Sequence, residues 1–437
     1  MRTVAFHTLG CKVNQYDSQA MLELFEQAGY ESRAFSDVAD VYVVNTCTVT
    51  GTGDKKSLNA VRRALRLNPQ AEVVIAGCLA QRDGEKLLET GARLVIGNAR
   101  RGEVVQLLED AIEMGQRVAA VTDILRTPYE PLSISSHEGH TRAMLKIQEG
   151  CDRYCTYCII PYVRGGIRSR KPEDIAKEAC RLAQAGFQEL VLTGIHLTSY
   201  GRDLENKTLI DAVRACDVQG ISRIRLGSLE PVIVTEDFAA ALKRGKKVCP
   251  QFHLALQSGS DAVLKRMRRR YTTDDFRRAC ALLRQAFPSC AITTDVITGF
   301  PGETEEEFAE TIAFCREIGF ARMHVFPYSA RQGTPAAAMP NQVKRAIREE
   351  RARQLISVGS ELAEVYRASW IGKQVEVLLE ETDENGMTHG YSAEYMPCAV
   401  QGGTPGALCS VTVTGVFQEG LTGTVSEASC GVPRIQE

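Results

Sequence analysis

The sequence predicts an α/β protein in three parts: a doubly wound parallel sheet, a partial (β/α)6 barrel and a small all-β barrel. Three observations carry this reading. Short apolar runs alternate with amphipathic stretches over residues 1–125, the alternation repeats six times from 143 onward, and beyond 370 the composition turns to β-branched residues and glycine. A chain of 437 residues exceeds one ordinary domain of about 100–200. With 44% hydrophobic and 24% charged residues its composition is globular, which excludes wholesale disorder. No run approaches the ~18 apolar residues of a membrane span, and the start of the chain lacks a signal-peptide pattern. A cytoplasmic location with no membrane partner is therefore expected.

In the first part, the runs at 4–8, 41–46, 73–77 and 94–97 have the length and apolar continuity of buried strands. Met21, Leu22, Leu24, Phe25 and Ala28 fall on one helix face, with Asp17 and Ser18 expected as its N-terminal cap, and Leu58, Val61 and Leu65 mark a second helix. In such a sheet the strand C-termini line one edge, where ligands bind.

Two polar, proline-bearing stretches, 126–142 and 329–341, read as linkers. Between them strands are expected at 143–147, 190–193, 223–226, 252–256, 291–297 and 322–326. Helices follow near 172–185, 208–216, 235–243, 273–286 and 304–318, the sixth being displaced to 342–369. Six units make an open version of the eight-fold barrel, with chemistry at the strand C-termini. In the last part, short strands at 375–379, 387–393, 398–400, 408–413 and 421–425, with turns such as Asn385-Gly386, suit a five-stranded barrel. The expected domains are 1–125, 137–369 and 370–437. The net charge of −2 hides an asymmetry, since residues 372–437 carry −7 and the remainder +5.

Fifteen cysteines in a reducing compartment are ligands, catalytic groups or core residues before they are disulfides. Cys151, Cys155 and Cys158 are spaced CxxxCxxC directly after the first barrel strand. Three thiolates there can converge on a 4Fe–4S cube and leave its fourth iron open to a small ligand. Zinc, which wants a fourth protein ligand in a structural site, and incidental cysteines are the alternatives. Cys11, Cys47 and Cys78 share no local motif, yet each lies one to three residues beyond an expected strand end. A second cluster on the ligand-binding edge and buried thiols both remain open. Most of the other nine read as core packing.

At this point the residues resemble a family. CxxxCxxC opening a six-unit βα barrel is similar to the radical S-adenosylmethionine superfamily. Leu9-Gly-Cys11-Lys-Val-Asn-Gln-Tyr-Asp17-Ser, Asn45-Thr-Cys47-Thr-Val-Thr, Gly77-Cys78-Leu-Ala-Gln, Leu226-Gly-Ser-Leu-Glu230-Pro and Thr298-Gly-Phe-Pro-Gly-Glu-Thr304 resemble its methylthiotransferases. Gly10-Cys-Lys-Val-Asn14, Thr48-Val-Thr-Gly-Thr-Gly-Asp-Lys-Lys-Ser57 and Lys146-Ile-Gln-Glu-Gly150 look like the branch acting on threonylcarbamoyladenosine in tRNA. The resemblance implies methylthiolation of C2 of that nucleoside at position 37. It also implies two 4Fe–4S clusters, one on Cys151, Cys155 and Cys158 and an auxiliary one on Cys11, Cys47 and Cys78. S-adenosylmethionine would be both radical source and methyl donor, with an electron donor and a sulfur source as further partners. An adenine C2–H is too weakly acidic for a side-chain base, so radical abstraction is the expected route, the protein supplying orientation and exclusion of water. Branches acting on isopentenyladenosine or on a ribosomal-protein aspartate are the rivals, and a non-catalytic iron–sulfur or zinc RNA-binding module is the alternative of another class.

Several other residues are candidates. Tyr157 resembles the aromatic position near the adenine of S-adenosylmethionine; Thr193, Gly194, Ser228, Gln257 and Gly299 follow strand ends and are further candidate cofactor contacts, against plain turns and loop residues. His196 and His324 read as structural. Arg268, Arg269 and Arg270 form a basic patch, and Arg62 and Arg63 a smaller one; each is a candidate phosphate-contacting surface for tRNA or a solvated helix face. The family's third domain usually helps to bind RNA, yet here it is acidic, with Glu394 where an Asn is expected.

Overall fold

The computed structural model describes residues 2–135 and 141–431. Strands β1 (Thr3–Thr8), β2 (Glu31–Arg33), β3 (Val41–Thr46), β4 (Glu72–Gly77), β5 (Leu94–Ile96) and β6 (Val118–Ala120) form one parallel sheet in the order β2-β1-β3-β4-β5-β6. Alternate residues serve its two faces: Tyr42, Val44, Val73 and Ile75 pack on one side, and Val41, Val43, Val74 and Ala76 on the other. Being apolar on both faces, these strands read as continuous runs. The edge strands β2 and β6 escape that reading because β2 is exposed throughout and β6 has only three residues.

The first helix runs Lys12–Gln27 and starts directly after Cys11, so the expected cap at Asp17 and Ser18 is not formed. Asp17 sits mid-helix and is buried. An aspartate there is locally unfavourable; tertiary ion pairing, described below, overrides the local preference.

The middle part contains β7 (Arg142–Glu149), β8 (Arg168–Ser169), β9 (Glu189–Gly194), β10 (Arg223–Leu226), β11 (Gln251–His253), β12 (Ala291–Thr298) and β13 (Arg322–Pro327). They make two sheets, β10-β9-β7-β8 and β11-β12-β13, connected by isolated bridges at Ile224–Val248 and Leu229–Leu254. All six expected strands are present and parallel, and β8 pairs antiparallel with β7. Ala143, Leu145 and Ile147 of β7 pack outward against Ile175, Ala179 and Leu182 of helix Pro172–Gln184. The intervening residues of β7 are left for the interior.

The described residues of both expected linkers are packed; residues 136–140 of the first lie outside the described residues. In the first, Leu132 and Ile134 are buried, Glu130 pairs with Arg101 at 2.9 Å, and the Ser135 amide donates to Glu23. In the second, Ala336 is buried and its amide donates to the Thr156 carbonyl at 2.8 Å, while Arg331 donates to Thr48 and Asp54 at 2.7 Å. These contacts clamp the first sheet's loops onto the barrel.

The last part is a closed barrel of β14 (Gln374–Thr382), β15 (Met387–Ser392), β16 (Pro397–Gln401), β17 (Leu408–Phe417) and β18 (Gly420–Gly431) in the order β14-β15-β16-β18-β17. Val375, Val377, Leu379, Val400 and Val411 fill it. Arg223 reaches across to Glu376 (2.8 Å) and the Tyr391 carbonyl (3.1 Å), and Arg225 to the Ala393 carbonyl (2.9 Å). No described helix is long and apolar enough to cross a membrane.

Candidate functional site

Cys11, Cys47 and Cys78 lie just beyond β1, β3 and β4. The parallel register pairs Thr8 with Asn45 and Thr46 with Gly77, so the three strand ends are neighbours. Gly10 has φ +101°, and a Cβ there would lie 2.8 Å from Cys47 Cβ and 2.9 Å from its Sγ. Only glycine permits this approach. Burial raises the Cys11 thiol, and pushes Cys47 up to about 11; the other two sulfurs of the set add to the rise at Cys47, against the opposing charge of Arg164. Arg164 Nε lies 3.3 Å from Cys78 Sγ.

Cys151 and Cys155 are buried and Cys158 is half-buried in the loop after β7. The Cys151 amide donates to the Gly165 carbonyl and the Cys158 amide to that of Cys155, both at 2.9 Å. Burial pushes Cys151 to about 11 and Cys158 to about 12, with neighbouring sulfurs adding to the effect. Arg269 Nη1 stands 3.2 Å from Cys155 Sγ, and Nη2 2.9 Å from Glu230. This corrects the expected basic patch: Arg269 points inward because Glu230 and the sulfur offer it partners, and only Arg268 and Arg270 are exposed. Arg153 (2.9 Å) and His196 (3.2 Å) also meet Glu230. Burial raises that carboxyl, but His196, Arg269 and Arg153 outweigh it and hold Glu230 at about 2. His196 thus has a structural partner, as its sequence context suggests.

Each set is therefore three soft donors with an arginine N–H on one sulfur, a donor arrangement that suits an iron–sulfur cluster and tunes it. Among the described residues no three His, Cys, Asp or Glu side chains converge as a single metal ion would require. That condition applies to one ion with every ligand within about 2.0–2.3 Å; a cube takes one thiolate on each of three irons.

A cavity of about 660 Å³ lies inside the open barrel. Its wall takes Cys11 and Lys12 from the first part, Arg142 and Met144 from β7, Thr193 and Gly194 from β9, Ser228, and Asp295 and His324 from β12 and β13; Tyr395 of the last barrel completes it. Thr193, Gly194 and Ser228 are thus brought together on one wall. Tyr157, Gln257 and Gly299 do not line this cavity. Tyr157 packs edge-on against Phe300, Gln257 exchanges main-chain bonds with Asp295 and Ile297, and a Cβ on Gly299 would lie 2.2 Å from Arg348 Cγ. Gly299 packs closely against the trailing helix Arg345–Ala368. Arg62 and Arg63 are exposed on helix Gly51–Leu67.

The two cysteine sets are joined by a buried ion cluster. Asp17 accepts from Lys146 and Arg101 and pairs with Arg164 at 3.4 Å. Glu149, two residues before Cys151, takes the same three cations, at 2.5 Å (Arg164), 3.3 Å (Arg101) and 3.4 Å (Lys146). Arg164 also donates to Asn14, so one guanidinium touches both carboxylates, the first helix and Cys78. Sequence reasoning missed this cluster. Its available signal was ionisable residues inside segments that must be buried, such as Lys146 within β7.

Residues 3–97 match the family described as "Uncharacterized protein family UPF0004", and residues 145–315 match the "Radical SAM superfamily". The chain is 44% identical over 410 residues, covering 92% of it and 91% of its counterpart, to "Threonylcarbamoyladenosine tRNA methylthiotransferase MtaB" of Bacillus subtilis. It is 37% identical, covering 87% of it and 78% of the relative, to "tRNA-2-methylthio-N(6)-dimethylallyladenosine synthase" of Thermobifida fusca. Among solved structures, the radical S-adenosylmethionine methyltransferase TsrM from Kitasatospora setae superposes with a TM-score of 0.57 at 15% identity, over 77% of each chain, which is a likeness of fold. With both domain matches and relatives of this similarity over most of its length, the chain belongs to the family of radical S-adenosylmethionine tRNA methylthiotransferases.

Proposed function

We propose that the protein methylthiolates C2 of N6-threonylcarbamoyladenosine at position 37 of tRNA, working in the cytoplasm with domains at 1–125, 137–369 and 370–437. Cys151, Cys155 and Cys158 hold one 4Fe–4S cluster and its S-adenosylmethionine, and Cys11, Cys47 and Cys78 hold a second. When bound, these groups supply the radical that removes the C2 hydrogen, the sulfur and the methyl group; an external electron donor and sulfur source complete the requirement. The chain's own residues bind and orient. Arg269 and Arg164 place positive charge and an N–H on one sulfur of each set, and Thr193, Gly194 and Ser228 form the wall against which cofactor and nucleoside are held. Arg268, Arg270, Arg62 and Arg63, all exposed, meet RNA phosphates.

The observation that carries the reading is that Cys11 borders the same cavity as those strand-end residues, so a sulfur-bearing edge and the barrel's catalytic edge surround one substrate-sized space. The choice of nucleoside is supported by the higher identity to the threonylcarbamoyladenosine relative than to the dimethylallyladenosine one.

Two variants test it. Cys47→Ala disrupts one set and leaves the 151–158 loop untouched, so it should still cleave S-adenosylmethionine to 5′-deoxyadenosine under reduction but form no methylthio product. Cys155→Ala should abolish both outcomes. Mass spectrometry of nucleosides from tRNA bearing either modification reads product and substrate choice together. Methylthio product from Cys47→Ala at wild-type yield would sink the ligand assignment, and methylthiolation of dimethylallyladenosine alone would sink the substrate.

A further inference from the structure

The cavity is electrically lopsided. Lys12, Arg142 and Arg322 line it, whereas Asp295 is the one carboxylate among its described lining residues, and Asp295 already faces His253 at 3.3 Å. Arg142 Nε is engaged by Glu380 at 3.1 Å and Arg322 by Glu419 at 3.4 Å. Lys12 differs. Its ammonium lies 5.6 Å from the centre of the Tyr395 ring, and among the described residues it has no ion pair or hydrogen bond from its side chain.

Two features strengthen the local field. Lys12 is the first residue of a 16-residue helix with no acidic residue in its first turn, so the positive end of the helix faces the same space. Arg142 and Arg225 stand 5.2 and 4.6 Å from the same Tyr395 ring. Tyr395 is delivered by the turn between β15 and β16, at φ +68°. The ring's face cannot satisfy three cations; Arg225 has Glu189 at 2.7 Å and Arg142 has Glu380, and Lys12 is left over. A cation that lines a substrate-sized cavity without an ion-pair partner among the described residues is a site for an anion.

We infer that Lys12, flanked by Arg142 and Tyr395, is a specificity-determining residue that binds a carboxylate carried on the N6 substituent of the target adenosine. The inference rests on the proposed threonylcarbamoyladenosine reading, since that substituent ends in a threonine carboxylate whereas a dimethylallyl group is apolar. A lysine without an ion-pair partner on the cavity wall rewards the first and gains nothing from the second, because an apolar group offers the ammonium no acceptor.

The test uses the reconstituted holoenzyme and anticodon stem-loop RNAs carrying threonylcarbamoyladenosine or the same nucleoside with its threonine carboxylate converted to the primary amide. Binding is measured by anaerobic fluorescence titration, KM by product formation, and iron content in parallel. Wild type should bind the amide RNA about tenfold or more weakly, the loss expected of one charge-assisted hydrogen bond. Lys12→Gln should bind the carboxylate RNA equally weakly, with the loss in KM rather than in kcat, and should no longer distinguish the two RNAs. Equal affinity of wild type for both RNAs overturns the proposal without requiring any variant to fold. So does a Lys12→Gln protein that loses iron yet keeps the discrimination, which would assign Lys12 to the neighbouring cysteine set. A wild type that converts only dimethylallyladenosine RNA fails the underlying reading instead, and is recognised before the amide comparison is made.

Discussion

Asp17→Asn tests whether the buried ion cluster is what fastens the first sheet to the barrel. The side chain is 1% exposed and meets Lys146, Arg101 and Arg164. Asparagine keeps the shape and one acceptor but removes the charge, leaving the three cations to share Glu149, with Glu130 on Arg101 alone. The gross attraction of one such pair at 3.4 Å is about 5 kcal/mol at an effective dielectric of about 20, but desolvation offsets most of it. The net cost of removing one partner from a buried pair is about 3–5 kcal/mol. Because Glu149 still compensates, the lower figure applies. At about 2–4 °C per kcal/mol for a unit of this size, the first melting transition should fall by about 6–12 °C. Scanning calorimetry at matched rates measures it, and limited proteolysis should show new cleavage in the strap 127–135, whose Leu132 and Ile134 are otherwise buried. The shift should be insensitive to salt between 0.1 and 1 M, as a screened surface pair would not be. A melting point within about 1 °C of wild type, with unchanged proteolysis, would refute the reasoning.

Two further outcomes are expected. Burial raises the Glu189 carboxyl, yet Arg225, at 2.7 and 3.2 Å, and Arg223 outweigh it and hold it below its ordinary 4.5. A carboxylate depressed in the folded state contributes stability that is present above pH 4.5 and lost as pH falls below it towards the depressed value; melting of wild type should therefore drop on going from pH 6 to 4, and Glu189→Gln, already destabilised, should drop less. Equal slopes would count against the assignment. Gly150→Ala should displace Cys151, since a Cβ there would lie 1.8 Å from the Gly166 oxygen at φ +72°; about half the iron and all 5′-deoxyadenosine formation should be lost, and full iron with normal cleavage would contradict it.

The elements buried on both faces, or carrying a clear helical period, were legible because apolar patterning reports them directly: β3, β4, the six barrel strands and helix Thr273–Ala286 fall where the pattern places them. What failed was tertiary. Asp17 looks like a helix cap because Asp and Ser favour caps locally, and nothing nearby in sequence discloses Lys146, 129 positions on. The two polar stretches look like linkers because their buried residues, Leu132, Ile134 and Ala336, are scattered among prolines and serines. Arg269 looks like its neighbours in a basic run; only the φ of +57° at Arg268, which turns the chain, separates inward from outward. The strand-end and loop positions of the six cysteines were legible because they are properties of the chain, whereas the cavity wall draws on all three parts and has no local signature.

The acidity of the last barrel acquires a physical explanation from its docking. Glu376, Glu380 and Glu419 face Arg223, Arg142 and Arg322, so part of the −7 is matched to cations of the middle barrel. Pair counting does not explain the strength of that contact, since Glu419 and Glu376 are more than half exposed and such pairs contribute about 0–1 kcal/mol. The strength lies in Arg223 and Arg225, which are buried and donate to main-chain carbonyls of residues 391–393. Leaving either guanidinium unpaired would cost about 1–3 kcal/mol or more, so the turn carrying Glu394 and Tyr395 is held against the barrel mouth. Burial pushes the Glu394 carboxyl up, with the Arg223 and Arg225 charges opposing the rise. The same two arginines that dock the acidic barrel thus set Tyr395 beside Lys12, and the last barrel forms part of the cavity wall as well as a surface of its own.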